Sequence, residues 1–135
     1  MTIIDASALA KYVFKEEGWR EVHNFLERGA LSVDLIVEEV ANAIWRRTFI
    51  LKVEGVELAS KRYQLLIRIA RELLVLENEL SYLDEAFRIA VENGLTVYDS
   101  LYIAQAHKRK VALLTSDRGQ AEVARKLGLH VHYIP

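Results

Sequence analysis

Short apolar runs recur along the chain. Each is followed by a longer stretch in which apolar residues return every three or four positions. Residues 2–5, TIID, read as a short buried strand, and ASALAKYVF behind them has helical spacing at Leu9, Tyr12 and Val13. EEGWREVHNFLERG sets Trp19, Val22, Phe25 and Leu26 on one helical face, with Gly29 as its stop. ALSV has the length of a strand, and Asp34 is placed to cap the helix LIVEEVANAIWRRTFI, which ends before Gly55. VELASKRYQLLIRIAREL is a further amphipathic helix, and LLVLE is a short strand candidate. Ser81 and Asp84 have capping-box spacing ahead of a helix that directs Leu83, Phe87 and Ala90 inward and stops at Gly94. LTV then reads as a short strand, DSLYIAQA as a buried helix, KVALLTS as a strand, GQAEVARKLG as a helix and HVHYI as a last strand.

Apolar strands alternating with helices predict an α/β fold, a three-layer α/β/α arrangement around a central parallel sheet. No linker, repeat or low-complexity segment interrupts the 135 residues, so one domain over 1–135 is expected. Such sheets hold ligands beyond the carboxyl ends of their strands, where the strand order reverses. That rule directs attention to the residues ending each strand.

Three of those residues are acids. Asp5 ends the first strand, Asp117 follows VALLTS, and Asp99 follows LTV. Glu39 lies in the helix after the second strand and shares a face with Asn42, three residues on. Asp99 and Asp117 each have a plain helix-capping reading. Glu39 has a solvated-surface reading, with Glu38 an equal candidate on composition alone. Asp5, directly behind TII at the end of a buried strand, is the hardest of the four to read as merely structural. If the four meet, repulsion decides what else is required. Two carboxylates about 4 Å apart repel by roughly 4 kcal/mol at an effective dielectric near 20. A divalent cation removes that cost, and an all-oxygen donor set suits Mg²⁺ or Mn²⁺. One or two such ions activate water and stabilise the leaving oxygen in phosphodiester hydrolysis.

Composition narrows the alternatives. Hydrophobic residues make up 52% of the chain, which argues against disorder. Cysteine is absent, so disulfide frameworks and thiolate zinc sites are excluded. No apolar run is long enough to suggest a membrane span, and MTIIDAS has no secretory character, which points to the cytoplasm. The formal net charge of −1 conceals a split, because neutralising four clustered acids leaves a mildly basic body. No glycine-rich phosphate loop, G-x-G-x-x-G or G-x-S-x-G is present, which disfavours nucleotide-binding and α/β-hydrolase enzymes.

IIDAS, VEEVANAI, VYDSLYIAQA and LLTSD, in that order, resemble the PIN domain family, and the short length is similar to the VapC toxins of toxin–antitoxin pairs. The resemblance implies a central parallel sheet flanked by helices and Mg²⁺- or Mn²⁺-dependent endoribonuclease activity. It assigns the four acids as Asp5, Glu39, Asp99 and Asp117, choosing Glu39 over Glu38. It matches Ser7, Asn42, Thr115 and Ser116 to polar positions lining the site. It also implies a homodimer and a small antitoxin partner. One departure stands out: where many relatives carry a further Asp or Asn, this chain has Gly119 and Gln120.

RNA requires positive charge nearby. Arg118, beside Asp117, is the preferred phosphate contact. Lys108, Arg109 and Lys110 read as a solvated helix terminus, as the far end from Asp99 suggests. His130 and His132 share a strand face but lack a third ligand. Trp19, Trp45, Phe49 and Tyr63 read as core, with an interface as the other role for apolar surface on residues 45–70. Three rival readings remain. A dehalogenase-like phosphatase needs an Asp where Ser7 stands. A receiver-like signalling domain needs paired acids where Asp5 stands alone. A non-catalytic module of the same fold would bind RNA or protein.

Overall fold

The computed structural model describes residues 1–135. Five strands, β1 (Thr2–Ile4), β2 (Ala30–Val33), β3 (Leu74–Glu77), β4 (Leu113–Thr115) and β5 (Val131–Tyr133), form one parallel sheet in the order β3-β2-β1-β4-β5. Seven helices connect them: α1 (Ala6–Val13), α2 (Trp19–Glu27), α3 (Leu35–Phe49), α4 (Val56–Glu72), α5 (Leu83–Asn93), α6 (Val97–Arg109) and α7 (Arg118–Lys126). The chain moves outward from β1 to β3, then returns across the sheet to β4. Right-handed crossovers therefore put α1–α4 on one face and α5–α7 on the other. The packing agrees: α1 touches α2, α3 and α4, while α6 touches α5 and α7. This is the expected three-layer α/β/α sandwich. Its switch point lies between β1 and β4.

Helix α6 is the central buried element. Ser100 to Ala106 are all buried, because α6 lies between the sheet (β1, β2 and β4) and α5. A helix covered on both sides is apolar all round, as LYIAQA suggests. Gly29 and Gly94 take positive φ, 91° and 69°, ending α2 and α5 as expected.

Several expectations need correction. LTV forms no strand: Leu95 and Thr96 are extended coil and Val97 already belongs to α6. The α5 stripe is rotated from the expected one. Ala86, Ile89 and Ala90 face inward, whereas Phe87 is 60% exposed and Leu83 lies at the surface. Small residues on the inner face let α5 approach α6 closely. Ser81 and Asp84 make no capping box, since a 3₁₀ turn over Glu79–Tyr82, capped by Asn78, leads directly into α5. Asp34 does not cap α3 with its side chain, which instead accepts from the Glu79 N–H at 3.1 Å. Trp45, Phe49 and Tyr63 are not core. They are about half exposed and line an apolar groove between α3 and α4, the second role anticipated for that surface. Trp19 packs against the core from a partly buried position.

Candidate active site

Asp5 closes β1 and caps α1. It is fully buried, and its Oδ1 accepts from the Ala8 N–H at 2.9 Å and the Ser7 hydroxyl at 2.7 Å. Thr115 at the end of β4 donates to its Oδ2. The Ser7 Oγ in turn accepts from the Ser116 N–H at 2.9 Å, and the Thr115 Oγ1 accepts from the Asp117 N–H at 2.9 Å. The ends of β1 and β4 are thus stitched through Ser7 and Thr115, across the switch point. Ser116 contributes its backbone; its own hydroxyl is buried without a partner. Asp117 caps α7 through the Gln120 N–H at 2.9 Å.

Asp99 stands in the first turn of α6 but does not cap it. Thr96 is the cap, accepting from the Asp99 N–H at 3.1 Å. The Asp99 carboxylate is free of that duty, and the nearby Thr96 and Gln120 side chains lower its pKa against the effect of burial. Glu39, on α3, accepts from the Tyr102 hydroxyl at 2.6 Å. Asn42 lies beside it, sharing a surface depression with Leu35, Glu38, Glu39 and Tyr98.

The electrostatics link these groups into one cluster. Burial pushes the Asp5 carboxyl up to about 7, against its three hydrogen bonds, and Asp117 pushes the same way. Asp99 is raised by burial and then by Asp117. Glu39 is raised by burial, opposed by the Tyr102 hydrogen bond, with Asp99 and Glu79 adding to the rise. The Tyr102 phenol is held above its ordinary range, by burial first and then by Glu39, Asp5 and Asp99. Asp5, Glu39, Asp99 and Asp117, from four separate segments, therefore feel one another at the carboxyl edge of the sheet. The amino ends of α1, α6 and α7 converge there too, and their dipoles offset part of the negative charge.

The donor chemistry suits a hard divalent cation: carboxylate and hydroxyl oxygens, with three carboxyl groups raised by burial and by their neighbours. No three His, Cys, Asp or Glu side chains stand together closely enough to hold a metal ion by themselves.

Two contributors escape a reading built on acids. Tyr102 is one of two large hydrogen-bonding side chains, with Gln105, in the otherwise apolar stretch LYIAQA, and that contrast was the available signal. Gln120 is 2% exposed and helps to lower the Asp99 pKa against the effect of burial. Of the basic candidates, Arg118 is exposed and pairs with Glu122 at 3.4 Å. Arg109 is tied to Glu77 and Lys108 reaches the Ser81 carbonyl, both away from the acids. His130 and His132 stand edge to face at 4.9 Å, with no metal-competent cluster around them.

Fold and site together define an α/β protein with an acid cluster at the switch point of a five-stranded parallel sheet. The PIN domain family model matches residues 2–126, and the chain belongs to that family. It is 30% identical to Ribonuclease VapC3 of Pyrobaculum aerophilum, over 89% of this chain and 92% of the relative. It is 32% identical to Exonuclease VapC9 of the same organism, over 86% and 80%. The crystal structure of PAE2754 from Pyrobaculum aerophilum superposes with a TM-score of 0.70 at 25% identity, covering 96% of this chain and 87% of that one.

Proposed function

We propose that this chain is a single-domain, divalent-metal-dependent endoribonuclease and the toxin of a toxin–antitoxin pair. What supports the reading is the electrostatic link of Asp5 and Asp99 to Asp117 and of Glu39 to Asp99, with the Asp5, Glu39 and Asp99 carboxyl groups raised by burial first and by these neighbours. Relatives named as a ribonuclease and an exonuclease support the same chemistry.

Asp5, Glu39, Asp99 and Asp117 would hold one or two Mg²⁺ or Mn²⁺ ions. A bound ion supplies an acidified water and a positive charge opposite the phosphodiester. The chain's own groups do the rest. Ser7 and Thr115 fix both oxygens of Asp5, Tyr102 fixes one oxygen of Glu39, and Thr96 caps the helix turn that carries Asp99. Arg118, at the rim, is exposed and available to a backbone phosphate. The cluster lies at an open edge of the sheet, which favours cleavage within a strand over trimming from an end.

The apolar groove of about 470 Å³ between α3 and α4 supports a small antitoxin as partner. The exposed stripe of Leu83, Phe87 and Val91 on α5 supports a homodimer. No helix is long and apolar enough to cross a membrane, in keeping with a cytoplasmic role.

The test is incubation with labelled structured RNA in Mg²⁺, Mn²⁺ or EDTA, alongside Asp99→Asn. Cleavage should require the metal and fall by at least about a hundredfold in the variant, the scale of losing a major electrostatic contribution to a transition state. Cleavage that ignores EDTA, or survives Asp99→Asn, overturns the reading. Circular RNA separates the modes: an endonuclease opens it and an exonuclease leaves it intact.

A further inference from the structure

Tyr98 precedes Asp99 in the first turn of α6, yet it turns away from the buried side of that helix and is 60% exposed. It lines a depression of about 320 Å³ with Leu35, Glu38, Glu39 and Asn42, all on α3. This depression shares Glu39 with the acid cluster, so a group seated in it lies next to whatever the acids act on.

We infer that this depression is a nucleobase subsite, in which Tyr98 stacks on a base of single-stranded RNA beside the scissile linkage. The inference rests on the nuclease reading and adds to it which part of the substrate is gripped. Three features point to a base. Tyr98 offers the only aromatic face in the depression, with Leu35 as its other apolar surface; aromatic side chains are where unstacked RNA bases are held. Glu38, which has no ion to hold in that reading, lines the same walls, repels a phosphate and leaves the uncharged base as the part of a nucleotide that fits. Its carboxylate and the Asn42 carboxamide can accept from base amino and imino groups, whereas the sugar–phosphate chain, apart from its 2′-hydroxyl, offers only acceptors.

The test compares two probes in the Asp99→Asn background, so that neither is cut. One is a fluorescein-labelled randomised RNA of roughly 12 nucleotides, within the length range of single-strand sites. The other is an abasic ribose–phosphate chain of equal length and charge. Tyr98→Ala should weaken RNA binding about tenfold, the scale of one base–aromatic stack, and leave abasic binding unchanged. Tyr98→Phe and Tyr98→Trp should bind RNA within about twofold of the parent, because each keeps a face to stack on. Equal losses on both probes, or RNA binding indifferent to Tyr98→Ala, overturn the subsite. A changed sedimentation coefficient in Tyr98→Ala with RNA binding intact also overturns it, assigning the face to a protein contact. Cleavage by the native chain is scored separately. If the native chain cuts RNA while Tyr98→Ala binds normally, the subsite alone falls. If the native chain neither cuts nor binds RNA, the nuclease reading falls and takes the subsite with it.

Discussion

Asp5→Asn should make the metal-free protein more stable above neutral pH, although Asp5 is the most completely hydrogen-bonded acid of the site. The reason is its burial. The folded chain raises its carboxyl from 3.8 to about 7. Ionising it inside the fold is therefore costlier than ionising it in the unfolded chain. Below about pH 4 both states carry the proton and Asp5 costs nothing. Between about pH 4 and pH 7 the cost grows by about 1.4 kcal/mol per pH unit, and above pH 7 it levels off at about 4 kcal/mol.

Asn is a fair neutral replacement at this position. Its carbonyl can keep the Ala8 N–H and Ser7 contacts, and its amide can face the Thr115 hydroxyl. The assay is urea unfolding in EDTA from about pH 4 to pH 9, for both proteins. The difference in unfolding free energy between them should widen with pH and flatten near neutrality. Glu39 and Asp99 are raised in both proteins, so most of their contribution cancels. Adding Mn²⁺ at about pH 8 should raise the midpoint of the native chain and not that of Asp5→Asn, because an ion is bound by the ionised acid. A pH-independent gap between the two proteins would refute the argument that Asp5 is held as a desolvated carboxyl.

The remaining predictions concern groups that support the acids or flank them. Tyr102→Phe removes the 2.6 Å hydrogen bond to Glu39. It should cost about 1–3 kcal/mol in urea unfolding and lower the cleavage rate more than it raises KM, since it loosens the group rather than the substrate. Thr96→Ala deletes the cap of α6, the acceptor of the Asp99 N–H, and a polar neighbour of the Asp99 carboxylate. A loss of about 1 kcal/mol in thermal unfolding is expected, together with weaker Mn²⁺ binding by calorimetry. Trp45→Ser, at a half-exposed groove position, should cost less than about 2 kcal/mol, against the 3–5 kcal/mol of a truncated core aromatic. A core-sized loss would return Trp45 to the interior.

Much of the fold is legible in the chain because local patterns and the final packing agree. Strands buried on both faces have to be apolar runs, and TII, ALSV and VALL are such runs. The exceptions share one cause. On α5, Leu83 and Phe87 carry the stronger apolar signal, yet the face that fits against α6 is the one with Ala86 and Ala90, where close approach matters more than side-chain size. On α3 and α4, Trp45, Phe49 and Tyr63 look like core because the sequence does not say that no further layer covers them. LTV fails as a strand because Thr96 caps α6 and Val97 opens it, so the segment serves as the entry to that helix.

The sequence by itself determined most of the elements, the alternation that makes the sheet parallel, and the candidates Asp5, Asp99 and Asp117 beside segment ends with Glu39 inside a helix. It also supplied the motif order that links the chain to the PIN family. It could not determine proximity. Asp5 and Asp117 are 112 positions apart along the chain, and only the strand order β3-β2-β1-β4-β5 makes β1 and β4 neighbours. The tertiary structure also decided which polar side chains serve the acids. Tyr102 looks like an ordinary helix residue until packing buries it beside Glu39, where its hydroxyl must find a polar partner. The same packing decided the role of Asp99. With Thr96 as the cap of α6, the Asp99 carboxylate has no backbone to satisfy and is left facing the other acids. Burial sets these outcomes because it removes water, and without water the charge of each group depends on its neighbours.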